Sequence, residues 1–216
     1  MMKFGEFIFE RKRIKISDKG KRIAVSKMDL EYICDKLGID YHLLKFISSG
    51  SFGNSYRVGD KVLKLTSDKR EAKSVNNLIK SGGNDSIVNY YSVNLYKNIY
   101  IILMDHITPV IEYYNDENIK EFISDCLTII YDRFSKISYF TKEDLIKEIS
   151  SDWEIKDGDR LHIDKIYKLY TDLKDLVKFP DIHIDNLGVD KIGNFILFDF
   201  TELLPVNKFN DPNLIQ

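Results

Sequence analysis

Phe179-Pro180-Asp181-Ile182-His183-Ile184-Asp185-Asn186, continued by Leu187-Gly188-Val189 and then by Phe195-Ile196-Leu197-Phe198-Asp199-Phe200, is the stretch that decides how this 216-residue sequence reads. The two short apolar runs, 187–189 and 195–198, flank Asp190-Lys191-Ile192-Gly193, a segment with turn chemistry, so a small hairpin is predicted. Asp181 and Asn186 then share one loop ahead of the hairpin. Asp199 ends its second strand and folds back beside Asn186. Phosphoryl transfer needs such parts: a carboxylate to orient an attacking hydroxyl, and hard oxygen donors for a divalent cation. Asp and Asn also favour plain turns, so each residue taken singly has a structural explanation, and the weight rests on the set.

Upstream, the pattern is of short strands over residues 43–48, 55–58, 61–66, 87–95 and 99–104, with tight turns at Gly59-Asp60 and Lys97-Asn98. A helix opens at Thr66-Ser67-Asp68, runs to about Lys80 and is closed by Ser81-Gly82-Gly83. Between the first two strands lies Ser48-Ser49-Gly50-Ser51-Phe52-Gly53, whose glycines let backbone N–H groups approach a phosphate, as they equally let an ordinary hairpin turn. Lys64 shares a strand face with Val62 and Thr66, while Leu63 and Leu65 occupy the other face. An ammonium there needs solvent or an anion. Glu71 falls on one helix face with Val75 and Leu78. It has two readings: the third residue of a capping box begun by Asp68, or the counter-ion of Lys64.

Helical periodicity covers residues 116–134, 142–150 and 161–177. At the N-terminus, alternating apolar residues over 3–25 predict a hairpin. Ser26 and Asp29 then begin a helix that ends at Gly38, so residues 1–42 read as an appendage. The run 11–22 is basic and reads as a solvated arm or a partner surface. Net charge is −2, with 44% hydrophobic and 31% charged residues, which gives no strong nucleic-acid signal. No apolar run approaches the roughly 20 residues of a membrane span. Cys34 and Cys126 lack metal-ligand spacing and read as buried thiols in a reducing, cytoplasmic setting.

Glycine loop, strand lysine, helix glutamate, Asp-x4-Asn and strand-end Asp-Phe occur in this order, and with them the chain resembles the protein-kinase-like superfamily from about Leu43 to Leu204. The resemblance implies a bilobal α+β fold. Residues 43–107 would form an N-lobe of five strands and one helix, and residues 108–216 a truncated helical C-lobe with the catalytic loop and metal-binding hairpin. It implies ATP and Mg2+ as cofactors. Gly50, Ser51, Phe52 and Gly53 would lie over the ATP phosphates. Lys64, held by Glu71, would contact the α- and β-phosphates. Met104, Asp105 and His106 would hold adenine through backbone groups. Asp181 would be the catalytic aspartate, and Asn186 with Asp199 would bind Mg2+.

The sequence departs from the family in several places. Ser48 replaces the first loop glycine, Phe179-Pro180 replaces the usual His-Arg pair, and Thr201 replaces the glycine of Asp-Phe-Gly. His183 stands where Ser/Thr protein kinases carry lysine, and is counted with Asp181 and Lys64 among the catalytic candidates. Asp-Ile-His-x-x-Asn is closer to the pattern of aminoglycoside and choline kinases and of compact bacterial or phage kinase-like proteins. With Gln216 so soon after Asp199, a full activation segment and peptide platform are not expected. The expectation is a minimal, phage-type Ser/Thr protein kinase acting on a protein, including a host protein. The alternatives are a small-molecule kinase and a pseudokinase-type module that inhibits a host protein.

Overall fold

The computed structural model describes residues 25–49, 52–134, 139–177 and 182–199. The expected N-terminal hairpin, the basic run 11–22, Gly50, Ser51, Asp181 and Thr201 lie outside the described residues. By contacts the chain divides into two compact units, Met1–Ala72 with Tyr90–His106, and Lys73–Asn89 with Ile107–Gln216.

In the first unit the alternating runs become β1 (Lys45–Ser49), β2 (Gly53–Val58), β3 (Lys61–Thr66), β4 (Tyr90–Tyr96) and β5 (Ile99–Asp105). They form one antiparallel sheet in the order β1-β2-β3-β5-β4. The β4–β5 turn places Lys97 and Asn98 at φ 46° and 67°. Two consecutive left-handed residues match the twist of a two-residue hairpin, and asparagine tolerates that conformation well. Helix α1 (Lys27–Leu37) starts at Ser26, whose hydroxyl accepts from the Asp29 N–H, and stops at Gly38, at φ 66°. Leu30, Ile33 and Cys34 of α1 cluster with Leu63, Leu65 and Ile101 of the sheet. Each large side chain buried there contributes about 1.5–3 kcal/mol. The helix is fastened at its start by Asp29, which accepts from Lys97 Nζ at 2.7 Å and Tyr96 Oη at 2.9 Å. Those bonds and the one from Ser26 hold its carboxyl down at about 2. With α1 covering the Leu63–Leu65 face, β3 presents Val62, Lys64 and Thr66 on the opposite one.

Helix α2 (Lys69–Lys80) follows β3. Asp68 accepts from the Arg70 N–H at 2.8 Å, and its own N–H donates to Thr66 Oγ1 at 3.1 Å.

In the second unit, α4 (Glu117–Phe134), α5 (Lys142–Ile149) and α6 (Asp157–Leu173) occupy the three segments of helical periodicity, α6 starting four residues before its first predicted turn. Their inward residues, among them Phe122, Ile130, Leu145, Ile149, Ile163 and Ile166, are almost completely buried. The late hairpin is present as β7 (Leu187–Val189) and β8 (Phe195–Leu197). Asp190 Oδ1 accepts from the Ile192 and Asn194 N–H groups and closes its turn. Two elements were not anticipated. A short strand, β6 (Thr108–Pro109), pairs with β7, and a single helical turn, α3 (Val110–Tyr113), follows it. His162 of α6 is buried against Phe195, ring on ring at 9°, with Tyr114 at its edge, and burial pushes its pKa down. Cys34 and Cys126 are both buried, and burial raises their thiols to about 11 and about 12, so neither is a ready nucleophile.

Candidate functional site

The clearest geometry in the first unit is the pair on β3 and α2. Lys64 Nζ lies 2.6 Å from Glu71 Oε1, with the two side chains 15% and 12% exposed. Of the two readings open for Glu71, the ion pair is the one formed. The N–H that a capping box would have offered to Glu71 is bonded to Thr66 Oγ1. A lysine this sheltered needs its counter-ion. The carboxylate in turn fixes where the ammonium sits on the Val62–Thr66 face of β3.

The glycine segment enters β2 at Gly53, which stands opposite Thr66 of β3. A Cβ on Gly53 would come 2.0 Å from the Leu65 carbonyl oxygen, so only glycine allows this approach of the two strands. Phe52, with its ring about half exposed, accepts through its carbonyl from the Ser67 N–H at 2.9 Å. This bond ties the end of the loop to the segment that leads into α2. Met104 is buried on β5 opposite Val62. Asp105 accepts from Lys61 Nζ at 2.9 Å and from Tyr91 Oη at 2.8 Å, with the Lys61 ammonium 3.5 Å from the Tyr91 ring centre. The His106 N–H donates to the Asp60 carbonyl at 2.8 Å. That N–H therefore extends the β3–β5 ladder and would have to leave it to meet a purine.

In the second unit the loop before β7 forms a single 3-10 turn, Ile184–Asn186, preceded by His183. His183 Nε2 lies 2.9 Å from Asn186 Nδ2, and His183 Nδ1 lies 3.5 Å from the Asp185 carboxylate. The Asn186 carbonyl accepts from the Phe198 N–H at 3.1 Å, which continues the β7–β8 ladder one step toward the loop. This bond holds Phe198, the residue before Asp199, against Asn186. Asn186 and Asp199 offer a carboxamide oxygen and a carboxylate, hard donors of the kind Mg2+ takes, and two protein donors suffice where a nucleotide's phosphates and water complete the shell. The donor set therefore fits Mg2+. Among the described residues no three His, Cys, Asp or Glu side chains cluster as a metal site.

One positioning feature left no trace in the sequence pattern. Leu197 of β8 is bonded on both sides to the segment after α2: its N–H donates to the Ser86 carbonyl, and its carbonyl accepts from the Val88 N–H, both at 2.9 Å. Ser86 is buried and donates to Asp172 Oδ2 at 2.6 Å, an oxygen that also takes Lys168 Nζ at 2.5 Å. Asn84-Asp85-Ser86 reads only as a polar loop. Its partners are more than eighty residues away, beyond any local signal.

The sheet of five antiparallel strands with one helix between the third and fourth, followed by a helical unit with a late hairpin, is an α+β architecture in two units, consistent with the protein-kinase-like fold that the sequence resemblance implied. The chain is similar to a crystal structure of a thermostable mutant of aminoglycoside phosphotransferase APH(4)-Ia in its apo form, with 14% identity, a TM-score of 0.45, and 80% of this chain and 71% of that one covered. Two ternary complexes of the same phosphotransferase, one with ADP and hygromycin B and one with AMP-PNP and hygromycin B, match at 14% identity and a TM-score of 0.44, covering 80% of this chain and 70% of theirs. No family model matches the chain, and no curated protein matches it in sequence. No helix among the described residues is long and apolar enough to cross a membrane.

Proposed function

We propose that the protein is an ATP- and Mg2+-dependent phosphotransferase, and that its acceptor is a hydroxyl of a small molecule rather than of a protein serine or threonine. The observation that carries the reading is the Lys64–Glu71 ion pair, a sheltered ammonium held at 2.6 Å by a carboxylate on the neighbouring helix. In this role Lys64 neutralises the α- and β-phosphates, and Glu71 keeps the ammonium from swinging into solvent. Asp181 accepts the hydrogen bond of the acceptor hydroxyl and takes its proton as the new bond forms. Asn186 and Asp199 hold Mg2+, which when bound spreads the charge of the transferred phosphoryl group. Positioning and charge complementarity then lower the barrier without a covalent intermediate.

The choice of a small acceptor is supported by the Asp181-Ile182-His183-x-x-Asn186 pattern, which resembles that of aminoglycoside and choline kinases. The test is transfer of label from γ-labelled ATP with Mg2+, wild type beside Asp181→Ala. Acceptors are aminoglycosides, choline and sugars in one arm, and a protein panel with the enzyme itself in the other. Label on a small hydroxyl compound, absent with Asp181→Ala while nucleotide still stabilises that variant, is the expected result. Label on protein alone returns the acceptor to a Ser/Thr kinase. Neither transfer nor slow ATP hydrolysis leaves the pseudokinase-type binding module.

A further inference from the structure

We infer that Asp172, near the end of α6, is a positioning residue for the proposed metal-binding hairpin: it fixes the segment 86–88 against α6, and that segment in turn fixes the strand that leads to Asp199. The inference rests on the proposed role of Asn186 and Asp199 as ligands of Mg2+. Every residue it uses lies in the second unit. Antiparallel pairing sends the backbone bonds of successive residues to opposite sides of a strand. The Phe198 N–H turns to the Asn186 carbonyl at 3.1 Å, on the β7 side. Leu197 turns the other way and is bonded twice to the segment after α2, its N–H to the Ser86 carbonyl and its carbonyl to the Val88 N–H, both at 2.9 Å. β8 is therefore an inner strand of its small sheet, with β7 on one edge and residues 86–88 on the other. Where that outer segment sits decides where β8 sits, and Asp199 comes two residues after Leu197.

The segment is placed on α6 at Asp172. Ser86 is buried, and its hydroxyl donates to Asp172 Oδ2 at 2.6 Å. A carboxylate oxygen can only accept, so the direction of this bond follows from its two ends. Its length is that of a charge-assisted O–H···O bond, which is stronger and more directional than an apolar contact. Within the segment, Asn84 Oδ1 accepts from the Ser86 N–H at 2.8 Å, a local bond that shapes the turn. Asn84 Nδ2 adds a longer contact, 3.4 Å, to the backbone carbonyl of Asp172. That second tether does not involve the carboxylate and survives a change of the side chain, so loss of the carboxylate loosens the segment without freeing it. Lys168, one helical turn earlier on α6, reaches the same Oδ2 at 2.5 Å. This lysine is half exposed and its contact stays within the helix, so it steadies the carboxylate without touching the segment. An apolar side chain at position 172 would leave a buried hydroxyl without its acceptor.

The test reads the hold on β8 and the metal site separately. Backbone hydrogen exchange of the full chain without nucleotide is followed at Val88 and Leu197, whose N–H groups make bonds between the segment and β8. Leu127, buried on α4, serves as the measure of global opening. Asp172→Leu and Ser86→Ala should speed exchange at Val88 and Leu197 roughly fivefold to thirtyfold more than at Leu127. Mn2+ binding with AMP-PNP, followed by the paramagnetic resonance of the free ion, should weaken by a similar factor in both. Asp172→Asn keeps an acceptor oxygen for the Ser86 hydroxyl, and Lys168→Met keeps the whole link, so both should stay within about twofold of wild type in each readout. AMP-PNP binding without metal should be alike throughout. Exchange that rises at Leu127 as much as at Val88 and Leu197 marks Asp172 as a merely structural residue and overturns the inference. Unchanged Mn2+ binding in both Asp172→Leu and Ser86→Ala overturns it too, as does an Asp172→Asn protein as weak as Asp172→Leu. A wild type that binds no Mn2+ with nucleotide overturns the phosphotransferase reading and this role together, whereas the other failures leave that reading standing.

Discussion

Replacing Glu71 by Gln, Lys64 by Met, and both together separates the energy of their ion pair from the rest of the fold. At 2.6 Å, and with an effective dielectric of about 20, the attraction is about 6 kcal/mol before any cost of leaving water. Removing each ion from water costs several kcal/mol, so the intact pair adds little net stability over two apolar groups. Breaking a fully buried pair from one side costs about 3–5 kcal/mol. These side chains keep 15% and 12% of their exposure, which lowers the expected cost of either single change to about 2 kcal/mol. The double variant leaves no charge unpaired, so it should lose less than either single change, about 1 kcal/mol, and the coupling energy is about 3 kcal/mol. Urea titration at neutral pH measures all four proteins, and kcat/KM for ATP is measured on the same samples. Glu71→Gln should lower kcat/KM about tenfold to a hundredfold, or about 1.4–2.7 kcal/mol of transition-state binding, with Lys64→Met losing more. Additive stability changes, with coupling below about 0.5 kcal/mol, would refute the pairing argument. Full activity of Lys64→Met would remove the lysine from the phosphate site.

Gly53→Ala should cost roughly 1–3 kcal/mol in urea, because its Cβ meets the Leu65 carbonyl at 2.0 Å and the β2–β3 pairing has to open; an unchanged midpoint would contradict that. The Asp29 carboxyl, held at about 2 against an ordinary 3.8, supplies stability that is complete above pH 3.8 and is lost as pH falls toward 2. Lys97 is two-thirds exposed, so the contribution is about 1 kcal/mol, and Asp29→Asn should lower the midpoint at pH 7 but leave it near wild type at pH 2. His162, its pKa lowered by burial against Phe195, favours the neutral ring in the folded state. The stability this gives is present above about pH 6.5 and declines as pH falls below it, so His162→Phe should flatten the stability profile between about pH 5 and 7. A profile as steep in the variant as in wild type would place the acid sensitivity elsewhere.

Much of this arrangement was legible because it is written in short-range chemistry. Ser26 and Gly38 bracket α1, Lys97-Asn98 turns β4 into β5, and Asp190 closes the last hairpin, each through bonds spanning a few residues. The alternation around Lys64 gave its face, though only the structure decides between the two partners of Glu71, because a capping residue and a counter-ion occupy the same helical position. What escaped depends on distant partners. The two-residue strand β6 has no periodicity to display and exists by pairing with β7, and the Ser86–Asp172 bond joins segments 86 residues apart. His183 was singled out for its place in the motif, but its contact with Asn186 is a property of the folded loop, not of a spacing.

The seat of α1 on the Leu63–Leu65 face of the sheet also sets a timetable for synthesis. Its eleven residues are too few to be a stable helix alone in water. The partners that fasten it, Tyr96 and Lys97, lie 67 and 68 residues further along the chain from Asp29. At roughly 5–20 residues per second the ribosome needs roughly 3–13 s to deliver them. For that interval Leu30, Ile33 and Cys34 have emerged before the sheet they will cover is complete, so α1 is among the last parts of its unit to be secured.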